Sequence, residues 1–342
     1  MRENDVHSLW RFRSRFGPWR PMTKVMQKLL AIARSRKTRI AFNAVSAAIA
    51  TVVAVLLVQH FRAEGWPLSG AKVNGVILAS VLFLLGYALK ALGWRRLFAP
   101  SERPASMALA AAGGAASVTG IALPGRFDEL VRVAVVRRYP GSCAGVGGVC
   151  LSLLLLGLID SAALAPLAAI SAGVIGTTGL FRAGLFVVAG AGIAAAAVVL
   201  LLPTMARANR VSRFRIARWL RDHSTSPREA SKAWALVSLS WLVRGAALFV
   251  LLDALALDAS IPLALAFLCA SAAAAALPIA PAGAATQAGA GAAMLVASGV
   301  GASQAVAFAV AAQGLTIMMG ALILLAAGLW QASLRLRPRL SF

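Results

Sequence analysis

The residues of this chain that could do chemistry are its charges, because they are few and the sequence around them is apolar. Residues 123–139 read L-P-G-R-F-D-E-L-V-R-V-A-V-V-R-R-Y and hold four Arg and two of the eleven acids. A break at Pro124 and Gly125 opens the stretch, and apolar segments rich in small residues flank it. Arg126 and Arg132 each suit a phosphate, since a guanidinium meets two phosphate oxygens at once. Glu129 stands three residues from both, so on a helix it either orients the two Arg side chains or competes with phosphate for them. The other reading is a buried Arg-Glu-Arg cluster that merely fixes the local fold. Arg137 and Arg138, further along, read as contacts to cytoplasmic lipid headgroups.

Two more charges, Asp160 and Arg244, sit deep in apolar runs. A charge there costs about 2.5 to 3.5 kcal/mol on insertion scales and faces the interior of a bundle. They form either a structural ion pair with each other or part of a polar substrate path. A second break, P-I-A-P-A-G, contains Pro278, Pro281 and Gly283, and is followed by Gln287, Gln304, Gln313 and Thr316. These uncharged groups read as a polar lining or as hydrogen-bonding glue between helices. Cys143, Cys150 and Cys269 form no C-x-x-C and have no His beside them, so neither a disulfide framework nor a zinc site is expected. His7, His60 and His223 are scattered among basic or loop segments. With no nucleotide-binding Gly loop and no nucleophile-base pair, neither a cofactor nor an enzymatic activity is expected.

The elements that must position these groups follow from the composition. The chain has 342 residues, of which 60% are hydrophobic and 13% charged, with a mean hydropathy of +0.81. Its repeated apolar runs reach the roughly 20 residues a helix needs to cross a bilayer. The fold class is therefore an all-α polytopic membrane protein. Its net charge of +23 would suggest nucleic acid in a soluble protein. Here the basic residues belong to cytoplasmic loops facing anionic lipids, and no nucleic acid is implied.

Taken in order, residues 1–39 carry eleven Lys or Arg and form a cytoplasmic segment without an evident cleavable signal. Apolar residues at helical spacing within 23–39 suit a helix lying on an anionic surface, and a solvated tail is the alternative. Spans are expected at 40–58, 73–94, 146–170, 183–203, 234–255 and 303–330. Lys90, Arg95, Arg96 and Arg103 mark a cytoplasmic return after the second. The basic loop 204–232 is also placed in the cytoplasm, with an interfacial helix in it, and so is the tail 331–342. Residues 107–123 are so rich in Ala, Gly, Ser and Thr that close helix packing suits them better than lipid.

If 107–123 crossed completely, the four Arg of the opening motif would lie outside, against the positive-inside bias. A re-entrant pair over 107–138, entering from the cytoplasm and turning at Pro124-Gly125, removes that conflict. A second pair over 262–300 enters from the opposite face. Of the 34 basic residues, this arrangement leaves only Arg62, Lys72 and Arg182 outside and Arg244 within a span. Six full spans plus two opposed re-entrant hairpins make an inverted-repeat arrangement, which in transporters places a site near the midplane. Most Trp residues, Trp94, Trp234 and Trp330 among them, fall near span ends as interfacial anchors should, and Trp241 is the exception.

The motif L-P-G-R-F-D-E-L-V-R resembles the P-G-R-x-G-E-x-x-R motif of the lysylphosphatidylglycerol synthetase transmembrane, or flippase-like, family of bacterial membrane proteins. The later L-P-I-A-P-A-G-A-A-T-Q-A-G is similar to that family's P-x-x-P-G-G-x-G-x-x-E segment. The resemblance covers about residues 40–330. Pro124, Gly125, Arg126, Glu129 and Arg132 match the first motif, and Pro278, Pro281 and Gly283 the second. Asp128 stands where the family prefers Gly, and Gln287 and Ala288 are the nearest occupants of the second motif's missing acid. Asp160 resembles the family's Asp in the following span. The resemblance implies a lipid translocator of the bacterial cytoplasmic membrane, with both termini cytoplasmic, that moves an anionic phospholipid or lipid-linked glycan. Arg126, Asp128, Glu129, Arg132, Asp160, Arg244 and Gln287 are the expected substrate-binding residues. A non-transporting scaffold for a lipid synthase or glycosyltransferase, and a membrane enzyme acting on lipid headgroups, are the alternatives.

Overall fold

The computed structural model describes residues 70–120, 127–174, 179–207, 226–276 and 283–336, with Gln59 and Arg62. All of them lie in the compact unit Ala50–Phe342. Among the described residues the chain forms nine α-helices and no strand. They are α1 (Val73–Arg96), α2 (Ser106–Thr119), α3 (Phe127–Arg138), α4 (Val146–Val174), α5 (Leu180–Arg207), α6 (Pro227–Ala254), α7 (Ile261–Ala276), α8 (Gly283–Ala297) and α9 (Ala302–Leu336).

Five of them, α1, α4, α5, α6 and α9, are long and apolar enough to cross a membrane, so this is a multi-pass membrane protein. Their bounds follow the apolar runs of the sequence within a few residues at most ends. The expected span at 40–58, the surface helices at 23–39 and within 204–232, and Pro124, Gly125, Arg126, Pro278 and Pro281 lie outside the described residues.

The other four helices are short, with 14, 12, 16 and 15 residues. At 1.5 Å per residue they reach only about 18 to 24 Å, less than a hydrocarbon core of about 30 Å. They pack as two pairs, α2 on α3 and α7 on α8. The two pairs touch where their breaks begin and end: the backbone N–H of Ala284, at the start of α8, donates to the carbonyl oxygen of Gly120, at the end of α2, over 3.4 Å.

Helices α1 and α6 form the longest seam of the bundle. At one end the exposed Lys72 ammonium meets the Asp253 carboxylate at 3.3 Å. At the other, Glu229 gathers Arg103 at 2.8 Å and Arg96 and Lys232 at 3.1 Å each. Matched ends of this kind require the two helices to run antiparallel over their whole length. Glycines along one face of α1 permit the approach: a methyl group added at Gly75 would meet Ala254, one at Gly93 would meet Val237, and one at Gly86 would touch Arg244.

Small residues close the other crossings as well. On α2, Gly114 abuts the backbone oxygen of Gly320 on α9, and on α5, Gly192 abuts that of Ser161 on α4. The small-residue composition of α2 is thus used for tight helix packing, since backbones can approach where no side chain intervenes. Seven of the fourteen residues of α2 are buried.

One expected anchor differs. Trp94 is buried at 3% exposure, with its indole N–H donating to Ser152 Oγ at 3.0 Å. The ring lies on the inner face of α1, where that hydroxyl satisfies it, so it packs into the core instead of facing headgroups. Trp234 and Trp330 are exposed, as anchors at span ends should be.

Candidate functional site

A cavity of about 820 Å³ lies inside the bundle, walled by every described helix except α5. Into it α3 brings Asp128, Glu129 and Arg132, α4 brings Asp160, α6 brings Arg244, and α8 brings Gly283 and Gln287. Six of the seven polar residues singled out in the sequence therefore share one space, although they come from four helices. Arg126 is outside the described residues.

Their pairing differs from the ion pair considered between Asp160 and Arg244. Asp160 Oδ2 lies 2.8 Å from the ammonium of Lys90 on α1, with both side chains 19% exposed. Its other oxygen accepts the indole N–H of Trp241 at 2.8 Å. Lys90 is therefore a cavity residue and not a marker of the cytoplasmic loop. Its helix continues six residues further, to Arg96, and its four-carbon stem turns inward to the only kind of partner that offsets its desolvation. The signal was in the sequence: Lys90 precedes Trp94 by one turn and follows Tyr87 and Phe83 on the same helical face. All four line the cavity.

Asp128 and Arg132 pair within α3 at 3.4 Å, four residues apart with the acid first, the favourable order on a helix. The acid where the family prefers Gly thus engages the motif's second Arg. Arg244 has no carboxylate partner among the described residues. It is held by aromatic faces instead: its guanidinium carbon is 5.0 Å from the Tyr87 ring centre and 5.4 Å from that of Trp241. The opposite cation, Lys90, sits 5.0 Å from the same Trp241 ring. Trp241 therefore offers its electron-rich ring to both cations, a use that suits a Trp far from a span end. Tyr87 is fixed in turn by hydrogen bonds to Ser117 Oγ and, at 3.3 Å, to the carbonyl oxygen of Thr316.

Three polar atoms of the cavity wall are shielded from solvent and have no hydrogen-bond partner: Nε of Arg132, Nε of Arg244 and Oγ of Ser271. A buried polar atom left so costs about 1 to 3 kcal/mol. Gln287, Gln313 and Thr316 also line the space. Thr316 bonds the carbonyl oxygen of Ala312 one turn back. Gln304 is not among the lining residues. The wall thus divides chemically. Lys90, Arg132 and Arg244 stand with the three acids on α1, α3, α4 and α6, while the polar groups that α7, α8 and α9 bring are neutral hydroxyls and amides. A group that carried a compact negative charge and further oxygens would find a cation without a carboxylate and neutral hydrogen-bonding partners in one chamber.

Apolar spanning helices around a charged internal chamber define an integral membrane protein with a polar site inside its helical bundle. The family model for the lysylphosphatidylglycerol synthase TM region matches residues 43–323, and the chain belongs to that family. No curated protein matches the chain.

Proposed function

We propose that this chain is a lipid translocator, not an enzyme, which moves an anionic phospholipid or lipid-linked glycan across the bacterial cytoplasmic membrane. The carrying observation is Arg244, a guanidinium within a spanning helix, facing the cavity with no carboxylate partner among the described residues and with its Nε unpaired. A cation partly withdrawn from water and held only by ring faces is stabilised further when a group of opposite sign visits it. A lipid phosphate supplies that charge and accepts hydrogen bonds from the terminal guanidinium nitrogens of Arg244. The pairs Lys90–Asp160 and Asp128–Arg132 balance four of the chamber's six charges against one another.

The short pairs α2–α3 and α7–α8 act as two re-entrant hairpins, joined where Ala284 at the start of α8 donates to Gly120 at the end of α2. Broken helices are tolerated within a bilayer where they line a polar cavity, and an opposed pair is how inverted-repeat transporters build a central site. The cluster of Arg96, Arg103 and Lys232 around Glu229 marks the cytoplasmic end of the bundle, in keeping with the bias of basic residues to that side.

Reconstitution in vesicles of total bacterial polar lipid tests this reading, with outer-leaflet headgroups counted by an impermeant phospholipase. Headgroups of at least one anionic class should cross faster with the protein than without it. Arg244→Ala should lower that rate by roughly tenfold to a hundredfold, the worth of one charge-assisted hydrogen bond to phosphate at about 1.5 to 3 kcal/mol. Movement of no lipid class, or undiminished movement in Arg244→Ala and Arg132→Ala, overturns the proposal.

A further inference from the structure

We infer that the cavity opens sideways to the lipid between α3 and α4, and that the acyl chains of the transported lipid pass through this gap while its headgroup stays inside. The inference rests on the translocator reading and adds the route. Leu130 on α3 and Leu154 on α4 both bound the cavity, yet they are 62% and 60% exposed. Exposed leucines are ordinary on the outside of a membrane protein. A leucine more than half exposed at the edge of a charged chamber marks a place where the chamber is open.

The face of α4 that borders the chamber confirms the gap along its length. Cys150, Leu154, Gly157 and Ser161 all line it, at steps of four, three and four residues, which keeps them on one side of the helix over about 16 Å. Cys150, Leu154 and Gly157 are exposed, and a methyl group added at Gly157 would meet no atom within 4 Å. At the far end of this row the helix is closed against its neighbour: Gly192 of α5 is pressed against the Ser161 carbonyl. From the leucine rim inward the wall becomes charged, reaching Asp160 less than two turns beyond Leu154 and Arg132 less than one turn beyond Leu130. A water-soluble solute would have no use for an apolar rim opening on the bilayer. A lipid, apolar below and charged above, matches it end to end.

Gly157→Trp and Leu154→Trp place a large side chain in the gap. Ile170→Trp does the same at a position on α4 that is 52% exposed but not part of the cavity wall. In vesicles of total bacterial polar lipid, with the phospholipase count taken over every lipid class, the first two should slow movement by about tenfold or more, a rise of about 1.4 kcal/mol in the barrier. Ile170→Trp should move lipid as the wild type does. Thermal unfolding in detergent checks that each variant is folded. Leu154 already projects outward, so its Trp variant keeps the test standing if Gly157→Trp unfolds. Wild-type rates in a folded Leu154→Trp or Gly157→Trp overturn the lateral route and leave the translocator reading intact. Absence of movement with the wild-type chain overturns both.

Discussion

Replacing Asp160 by Asn removes one negative charge and almost nothing else. The amide oxygen of Asn still accepts the Trp241 N–H, now held at 2.8 Å, so the change isolates the ion pair to Lys90. Both partners are four-fifths withdrawn from solvent. Stripping one member from a buried pair costs about 3 to 5 kcal/mol, because the other charge is left uncompensated. Part of this is returned here. The Lys90 ammonium keeps the Trp241 face at 5.0 Å, worth about 1 to 2 kcal/mol in a desolvated site. The expected loss is therefore about 2 to 3 kcal/mol, read as a lowered unfolding midpoint in detergent micelles. The double variant Asp160→Asn with Lys90→Met removes the orphaned cation and should recover about 2 kcal/mol of coupling. Asp160→Asn with Arg244→Met should be nearly additive, since Arg244 is held by rings and not by this carboxylate. The reasoning fails if Asp160→Asn shifts stability by less than about 0.5 kcal/mol. It also fails if the coupling appears with Arg244 and not with Lys90.

Other outcomes follow from packing and from the charged end of the bundle. Gly114→Leu drives a side chain into the Gly320 backbone and should destabilise by about 1 to 3 kcal/mol or more, as thermal unfolding would show. Gly157→Ala enters open space and should be neutral or gain up to about 1 kcal/mol from helix propensity. Glu229→Gln leaves Arg96, Arg103 and Lys232 without their shared carboxylate, at a cost of about 2 kcal/mol that shrinks in high salt. Comparing unfolding at low and high ionic strength checks both the size and the salt dependence.

Several features were legible in the amino-acid order because they depend on runs of neighbouring residues. Hydrophobic stretches of spanning length located α1, α4, α5, α6 and α9. The small-residue run before residue 123 announced a tightly packed helix, which became the Gly114–Gly320 crossing. Charges within those stretches pointed to the cavity, since a bilayer leaves an ionised group few other places. The family was legible for the same reason, its motif being a contiguous string.

Which charge meets which was decided only when the helices packed. Asp160 is seventy residues from Lys90 and eighty-four from Arg244, and nothing along the chain ranks the two. The close α1–α6 seam, permitted by glycines at 75, 86 and 93, sets Lys90 beside Trp241 and turns it to Asp160, while Arg244 passes Gly86 to the face of Tyr87. Trp94 shows the same limit: a Trp near a span end is an anchor or a core residue according to what lies across from it, and here Ser152 does. Hydropathy is a sum over local sequence and can be read there. Ion pairing and burial are properties of distance in space, and those distances exist only once the helices have met.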